Sequence, residues 1–387
     1  MPEAVTKLPQ RANNTISTKR NKGCSLEDCF ERSFNSIGFL RLALAILVVV
    51  HHSFTLRHGW GADPLWRLTG QFDLGTLAVA SFLVLSGFLI SASYERSSRL
   101  SRYFFNRALR LYPGFWVCLI VSIGVIGPLA WSIEYGSISD YFRPRAGGPL
   151  DYFVSNLSLW IRQTTIAGLF QSNVSKYVNG SLWMLSLEAI CYLTLPLLAF
   201  AGGLRKRRWL ALGGLFVGWI WYLVDAGWLA PLGVHIRMFS LLKIAIYFAA
   251  GVVFYAYRSK VQIKSTWAAI GVLAAIASVP LGLLSLVLLI VLPYLLLWLA
   301  FTLPLNNWEK KADLSYGVYV YAYPIQQLLL VAWPGINSAV FLVASLVIVL
   351  PVALMSWKFI EKPALSFKRI GIRPGMLTAS KSAGEAF

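Results

Sequence analysis

Ten windows of this chain are apolar over lengths close to what the roughly 30 Å hydrocarbon core of a bilayer requires, and this leaves little choice of backbone. They lie near 37–56, 75–94, 112–131, 183–202, 208–224, 238–257, 267–281, 283–302, 316–333 and 338–357, the seventh and eighth divided by the turn residues Pro280-Leu-Gly282. In hydrocarbon an unpaired N–H or C=O finds no water, so a spanning segment satisfies its own backbone, which single windows do as α-helices. The expected fold class is therefore all-α, a polytopic membrane protein with about ten transmembrane helices. At 57% hydrophobic and 13% charged over 387 residues, a soluble domain is excluded.

The net charge of +19 would suggest nucleic acid in a soluble chain, but here the charges sort by membrane face. With an even number of spans, 26 of the 35 Lys and Arg residues fall on the face that holds both termini and seven on the other, while Arg41 and Lys243 lie inside spans. Positive loops stay cytoplasmic, so both termini are expected in the cytoplasm and no nucleic-acid partner is implied. Residues 1–35 and 370–387 are polar and read as disordered tails around a membrane domain over 36–369. Cys24 and Cys29 have no second pair to complete a zinc site, and neither a disulfide nor a metal is expected. One exterior connection, 132–182, is out of scale. Loops of that length commonly carry function, although a surface-lying segment with only a packing role fits its composition equally well.

Ionisable groups inside a span are costly and mark function. Arg41 and His52 lie eleven residues apart in the first span. That spacing is three turns plus roughly 20°, so they share a face about 16 Å apart along the axis, and His51 is expected to point elsewhere. Arg107 and Arg110 project from one helical face near the cytoplasmic side, as suits bidentate contacts to phosphate, with Arg41 able to join them. The positive-inside bias would also account for them. Glu188, five residues into the fourth span, matches His52 in depth, and a carboxylate bonded to a histidine is the usual arrangement for a general base acting on a hydroxyl. A histidine packed against a carbonyl, or a structural Glu188–Lys243 pair, would use the same residues.

Six segments in order, namely Arg41-x10-His52, Ser81-Phe-Leu-Val-Leu-Ser-Gly-Phe-Leu-Ile90, Phe105-Asn-Arg-Ala-Leu-Arg-Leu-Tyr-Pro113, Asn179-Gly-Ser-Leu-Trp-Met-Leu-Ser-Leu-Glu188, the Leu314 to Pro324 run and Glu361-Lys-Pro363, resemble the acyltransferase-3 family of integral membrane acyltransferases. The resemblance implies transfer of an acyl group, commonly acetyl, from cytoplasmic acyl-coenzyme A to a sugar hydroxyl on the exterior face. It implies no bound cofactor, acyl-coenzyme A as co-substrate, and a polysaccharide or glycolipid acceptor. It makes His52 the catalytic histidine and Arg41 its motif partner. Arg107 and Arg110 become donor phosphate contacts, and Asn179, Trp183 and Glu188 fall on a substrate-facing signature. Leu83 and Ala322 depart from the family's usual Phe and His. A flippase for a lipid-linked sugar, the alternative from another class, would also want a charged path, but no paired discontinuous helices are visible.

Overall fold

The computed structural model describes residues 24–31, 35–97, 99–225, 240–305 and 312–369. Its helices are α1 (Leu26–Glu31), α2 (Ile37–His58), α3 (Pro64–Thr69), α4 (Leu74–Arg96), α5 (Leu100–Tyr135), α6 (Pro149–Asn156), α7 (Trp183–Phe200), α8 (Trp209–Asp225), α9 (Ser240–Ala256), α10 (Ser265–Ser278), α11 (Leu284–Thr302), α12 (Ser315–Ala332) and α13 (Ser338–Ser366). No strand occurs among the described residues.

Six of these helices, α2, α4, α5, α7, α11 and α13, are long and apolar enough to cross a membrane. The remaining expected spans are present as helices, but α8, α9 and α10 are short. Helix α12 is long enough yet rich in Tyr and Gln. Its place explains that composition. It packs against α2, α5 and α13, and nearly all of its residues are buried, so its polar groups meet protein rather than lipid. Gln326 donates to the Val49 carbonyl (3.2 Å) and the Ser53 hydroxyl (3.1 Å) of α2, and the Tyr316 hydroxyl donates to the Leu111 carbonyl of α5 (2.6 Å). Helix α12 is the hub of the bundle.

The tightest pair is α4 with α9. A Cβ on Gly87 would sit 2.2 Å from the Phe248 carbonyl oxygen, and one on Gly251 would sit 2.1 Å from that of Val84. Each helix thus presents a glycine to the other's backbone, the close approach that small residues allow between membrane helices.

Two expectations about the N-terminal segment need correction. Leu26–Glu31, inside the stretch read as a disordered tail, is helical, and its Leu26 and Cys29 are buried against the core. Cys24 and Cys29, expected to be unpaired, are joined as a disulfide, because α1 starts between them and brings their Cα atoms to 6.3 Å. Residues 1–23 and 370–387 lie outside the described residues.

The long connection after α5 is ordered by side-chain amides. Asn156 accepts from the backbone of Arg162 (2.9 Å) and Gln163 (3.2 Å) and donates to the Gln163 carbonyl (2.8 Å). Gln327 of α12 then donates to the carbonyls of Ser175 (2.8 Å) and Tyr177 (2.6 Å), so the returning strand of the loop is held over one end of the bundle.

Candidate active site

Helix α2 runs between two polar centres at opposite ends of the bundle. At the first, Asp313, in the short connection before α12, receives Arg110 at 2.6 Å and Arg41 at 3.2 Å on the same oxygen. Its other oxygen takes the Ser315 hydroxyl (2.6 Å) and backbone N–H (3.2 Å). Burial alone would raise the Asp313 carboxyl, but Arg41 and Arg110 outweigh it and, with the Ser315 hydroxyl, hold the group well below the ordinary carboxylate range. Arg107, one turn from Arg110, donates to the Ser93 hydroxyl (3.2 Å) and lies over the Tyr192 ring (5.7 Å), yet its Nε is buried with no hydrogen-bond partner. The same is true of Asn106 Oδ1 and of one Glu361 oxygen; the other Glu361 oxygen accepts from Ser356 at 3.0 Å. Lys368, at the end of α13, stands close enough to Arg107, Arg110 and Arg41 that burial first, and their charges next, bring its amine down to about 8. The structure therefore unites Arg41, Arg107 and Arg110 as the sequence expects. It adds Lys368, Asp313 and Glu361, which share no helical periodicity with them.

At the other end lies a cavity of about 560 Å³. His52 lines it, with Trp60, Trp183, Tyr177, Tyr319 and Tyr323 as its aromatic walls. The His52 ring meets Tyr323 edge-on at 4.9 Å, and the Tyr323 hydroxyl is 2.7 Å from that of Ser175, so the long loop supplies one wall. His52 Nδ1 is buried with no hydrogen-bond partner. Asp63, Asp73, Trp60 and the loop residues were not singled out from sequence. The helix-capping pattern around Pro64 is the signal that could have found Asp63.

Matching the acyltransferase-3 sequence model, an acyltransferase domain, takes in residues 34–358 of this chain. The chain belongs to the acyltransferase-3 family. It is 28% identical over 382 residues to nodulation protein 10 of Rhizobium leguminosarum bv. viciae, covering 86% of this chain and 94% of that protein. It is 27% identical over 344 residues to the O-acetyl transferase of Shigella phage Sf6, covering 86% and 96% respectively. No solved structure matches. As a family member the chain is a membrane O-acyltransferase that uses an acyl donor and a hydroxyl-bearing acceptor.

Within this family member, two sequence-derived residues stand apart from the cavity. Glu188 accepts from the Tyr192 hydroxyl at 2.5 Å and the Ser86 hydroxyl at 3.3 Å, not from His52. Five residues separate it from the cavity-lining Trp183, a rotation of about 140° that turns it toward Ser86 of α4. Asn179 is buried and donates to the Val320 carbonyl at 2.8 Å while accepting from the Ser181 N–H at 3.1 Å, which fastens the loop to α12. Conversely, His51, expected to face away, lines the same cavity as His52. His51, Asp63 and Asp73 bring ligand-type atoms within 4.8 Å of one another. The two carboxylates also accept backbone N–H groups of Leu65, Trp66, Leu74 and Thr76.

Proposed function

We propose that this O-acyltransferase takes an acyl group, most simply acetyl, from acyl-coenzyme A at the arginine end and delivers it to a sugar hydroxyl of an exterior polysaccharide or glycolipid at the aromatic end. The observation that carries this reading is that one helix, α2, places Arg41 in the cationic cluster and His52 in the aromatic cavity. Phosphates of the donor suit Arg107, Arg110, Arg41 and Lys368, since guanidinium forks match phosphate oxygens and the unpartnered Arg107 Nε still has a proton to give. Rings of Trp60, Trp183 and Tyr323 suit the apolar faces of a sugar, and His52, which lines the same cavity, is the histidine we assign to the transfer. Basic residues then face the cytoplasm and the cavity faces outward, in line with the charge distribution along the chain. The donor is a co-substrate, and no resident cofactor is needed.

The test uses purified protein and labelled acetyl-coenzyme A, following release of the coenzyme A thiol and transfer of label to envelope glycans of the native cell. Mass spectrometry of glycans from deletion and complemented strains should show one acetyl mass lost and regained. Glycans of unchanged mass, together with no thiol release, would rule the reading out and favour translocation of a lipid-linked sugar instead.

A further inference from the structure

Two adjacent histidines line the cavity, and only one of them is held as a base should be. His51 Nδ1 lies 2.8 Å from Asp63 Oδ2 and 3.6 Å from Asp73 Oδ1. Asp63 is fully buried. Its Oδ1 accepts the N–H groups of Leu65 (2.9 Å) and Trp66 (3.0 Å), and the Leu74 N–H reaches both oxygens at 3.2 Å. Those N–H groups belong to the start of α3 and the start of α4, so the carboxylate is clamped by two helix ends and cannot turn away from the imidazole. A carboxylate accepts, so Nδ1 donates and the free lone pair is on Nε2. Gly75 lies against the face of the His51 ring, where a Cβ would come within 2.7 Å of Cδ2, 2.8 Å of Nε2 and 2.9 Å of Cγ; glycine at this point is what lets the ring occupy its place. Among the described residues His52, whose ring centroid is 5.4 Å away, has no carboxylate on either nitrogen and a buried Nδ1 without partner.

We propose that His51, positioned by Asp63, is the general base that takes the proton of the acceptor hydroxyl, with His52 beside it facing the acyl group. This rests on the O-acyl transfer reading above. In the step, the hydroxyl proton passes to His51 Nε2, the hydroxyl oxygen forms a bond to the acyl carbon, and the carbon–sulfur bond of the thioester breaks. Coenzyme A leaves as a thiolate and recovers a proton, so that His51 returns to its neutral form. Asp63 does not touch the substrate and acts by fixing the tautomer.

The experiment compares wild type, His51→Gln, Asp63→Asn and the double variant, with acetyl-coenzyme A as donor and native-cell envelope glycans as acceptor. Gln keeps most of the imidazole volume, and Asn still caps α3, so melting temperature serves as the check on folding. Each single variant should lose about 10²- to 10⁴-fold in kcat with donor KM unchanged, the usual worth of a general base. The double variant should be no worse than the poorer single, because the two residues act as one unit. In His51→Ala, added imidazole should restore turnover while pyrazole, of the same shape and hardly basic, should not. Three results would each overturn the proposal: His51→Gln keeping more than about a tenth of wild-type kcat, losses that multiply in the double variant, or equal rescue by pyrazole. Wild type that transfers no label would instead remove the underlying reading.

Discussion

The two ends of α2 hold their charges in different ways. At the arginine end Asp313 bridges Arg41 and Arg110 through one oxygen, an ion pair between side chains. At the cavity end Asp63 is gripped by backbone N–H groups and has nothing to exchange. One end carries an excess of positive charge suited to a phosphorylated molecule, whereas the other is fixed in geometry and suited to chemistry. Substitutions at the first should therefore appear in binding, and those at the second in turnover.

The sharpest break of this comparison is His52→Ala. The expected result is a loss of about 10²- to 10³-fold in kcat with little change in donor KM, the worth of a group facing the charge that develops on the acyl group, read from initial rates on folded protein. A shift confined to donor KM would place His52 on the binding side. Next in size is Asp313→Asn, which leaves two guanidinium groups facing each other without their anion and should cost about 3–5 kcal/mol, seen as a lower melting temperature. Coenzyme A should return part of that loss, since its phosphates can stand in for the carboxylate. An unchanged melting temperature would mean that the pair is not structural.

Arg107→Ala should then raise donor KM by about ten- to a hundredfold, the worth of a charge-assisted contact, with kcat near wild type and Lys rescuing only in part. Titration against acetyl-coenzyme A decides it, and a fall in kcat alone would count against the division of labour. The smallest effect concerns pH. Lys368 carries its proton below about 8 and loses it above, so a phosphate gains that cation only at the lower pH. Donor KM should rise about two- to fivefold as pH passes through 8, in keeping with a half-exposed charge pair, and Lys368→Met should flatten the rise. A slope that survives in Lys368→Met would assign the dependence to another group.

Much of this was legible in the sequence, for identifiable reasons. Apolar windows announce helices, and a three-residue spacing puts Arg107 and Arg110 on one face. Asp313, which pairs Arg110 with Arg41, lies 203 residues beyond Arg110 in the chain, where no periodicity links it to either. Residue spacing also gave the Arg41–His52 alignment but misplaced His51. A helical face predicts direction, whereas this cavity wraps more than one face of α2 because Gly75 has no side chain to block it. Depth alone paired Glu188 with His52, and the rotation from Trp183 undoes the pairing. The apolar windows located α8, α9, α10 and α12 as helices, but the first three are short and α12 is polar because it is buried among neighbours, so six helices are long and apolar enough to cross a membrane.

The polarity of α12 also bears on how the protein is made. A segment with Gln326, Gln327 and several tyrosines partitions poorly from the insertion machinery into lipid by itself, so it should enter the bilayer together with helices that accept its hydrogen bonds. Since α12 supplies Tyr319 and Tyr323 to the cavity and follows Asp313 in the chain, the Asp313 ion pairs and two of the cavity's aromatic walls are completed only at that late moment of synthesis. Nascent chains that stop before residue 312 would carry His52, Arg41, Arg107 and Arg110 but neither the Asp313 that pairs two of those arginines nor the tyrosines that wall the cavity.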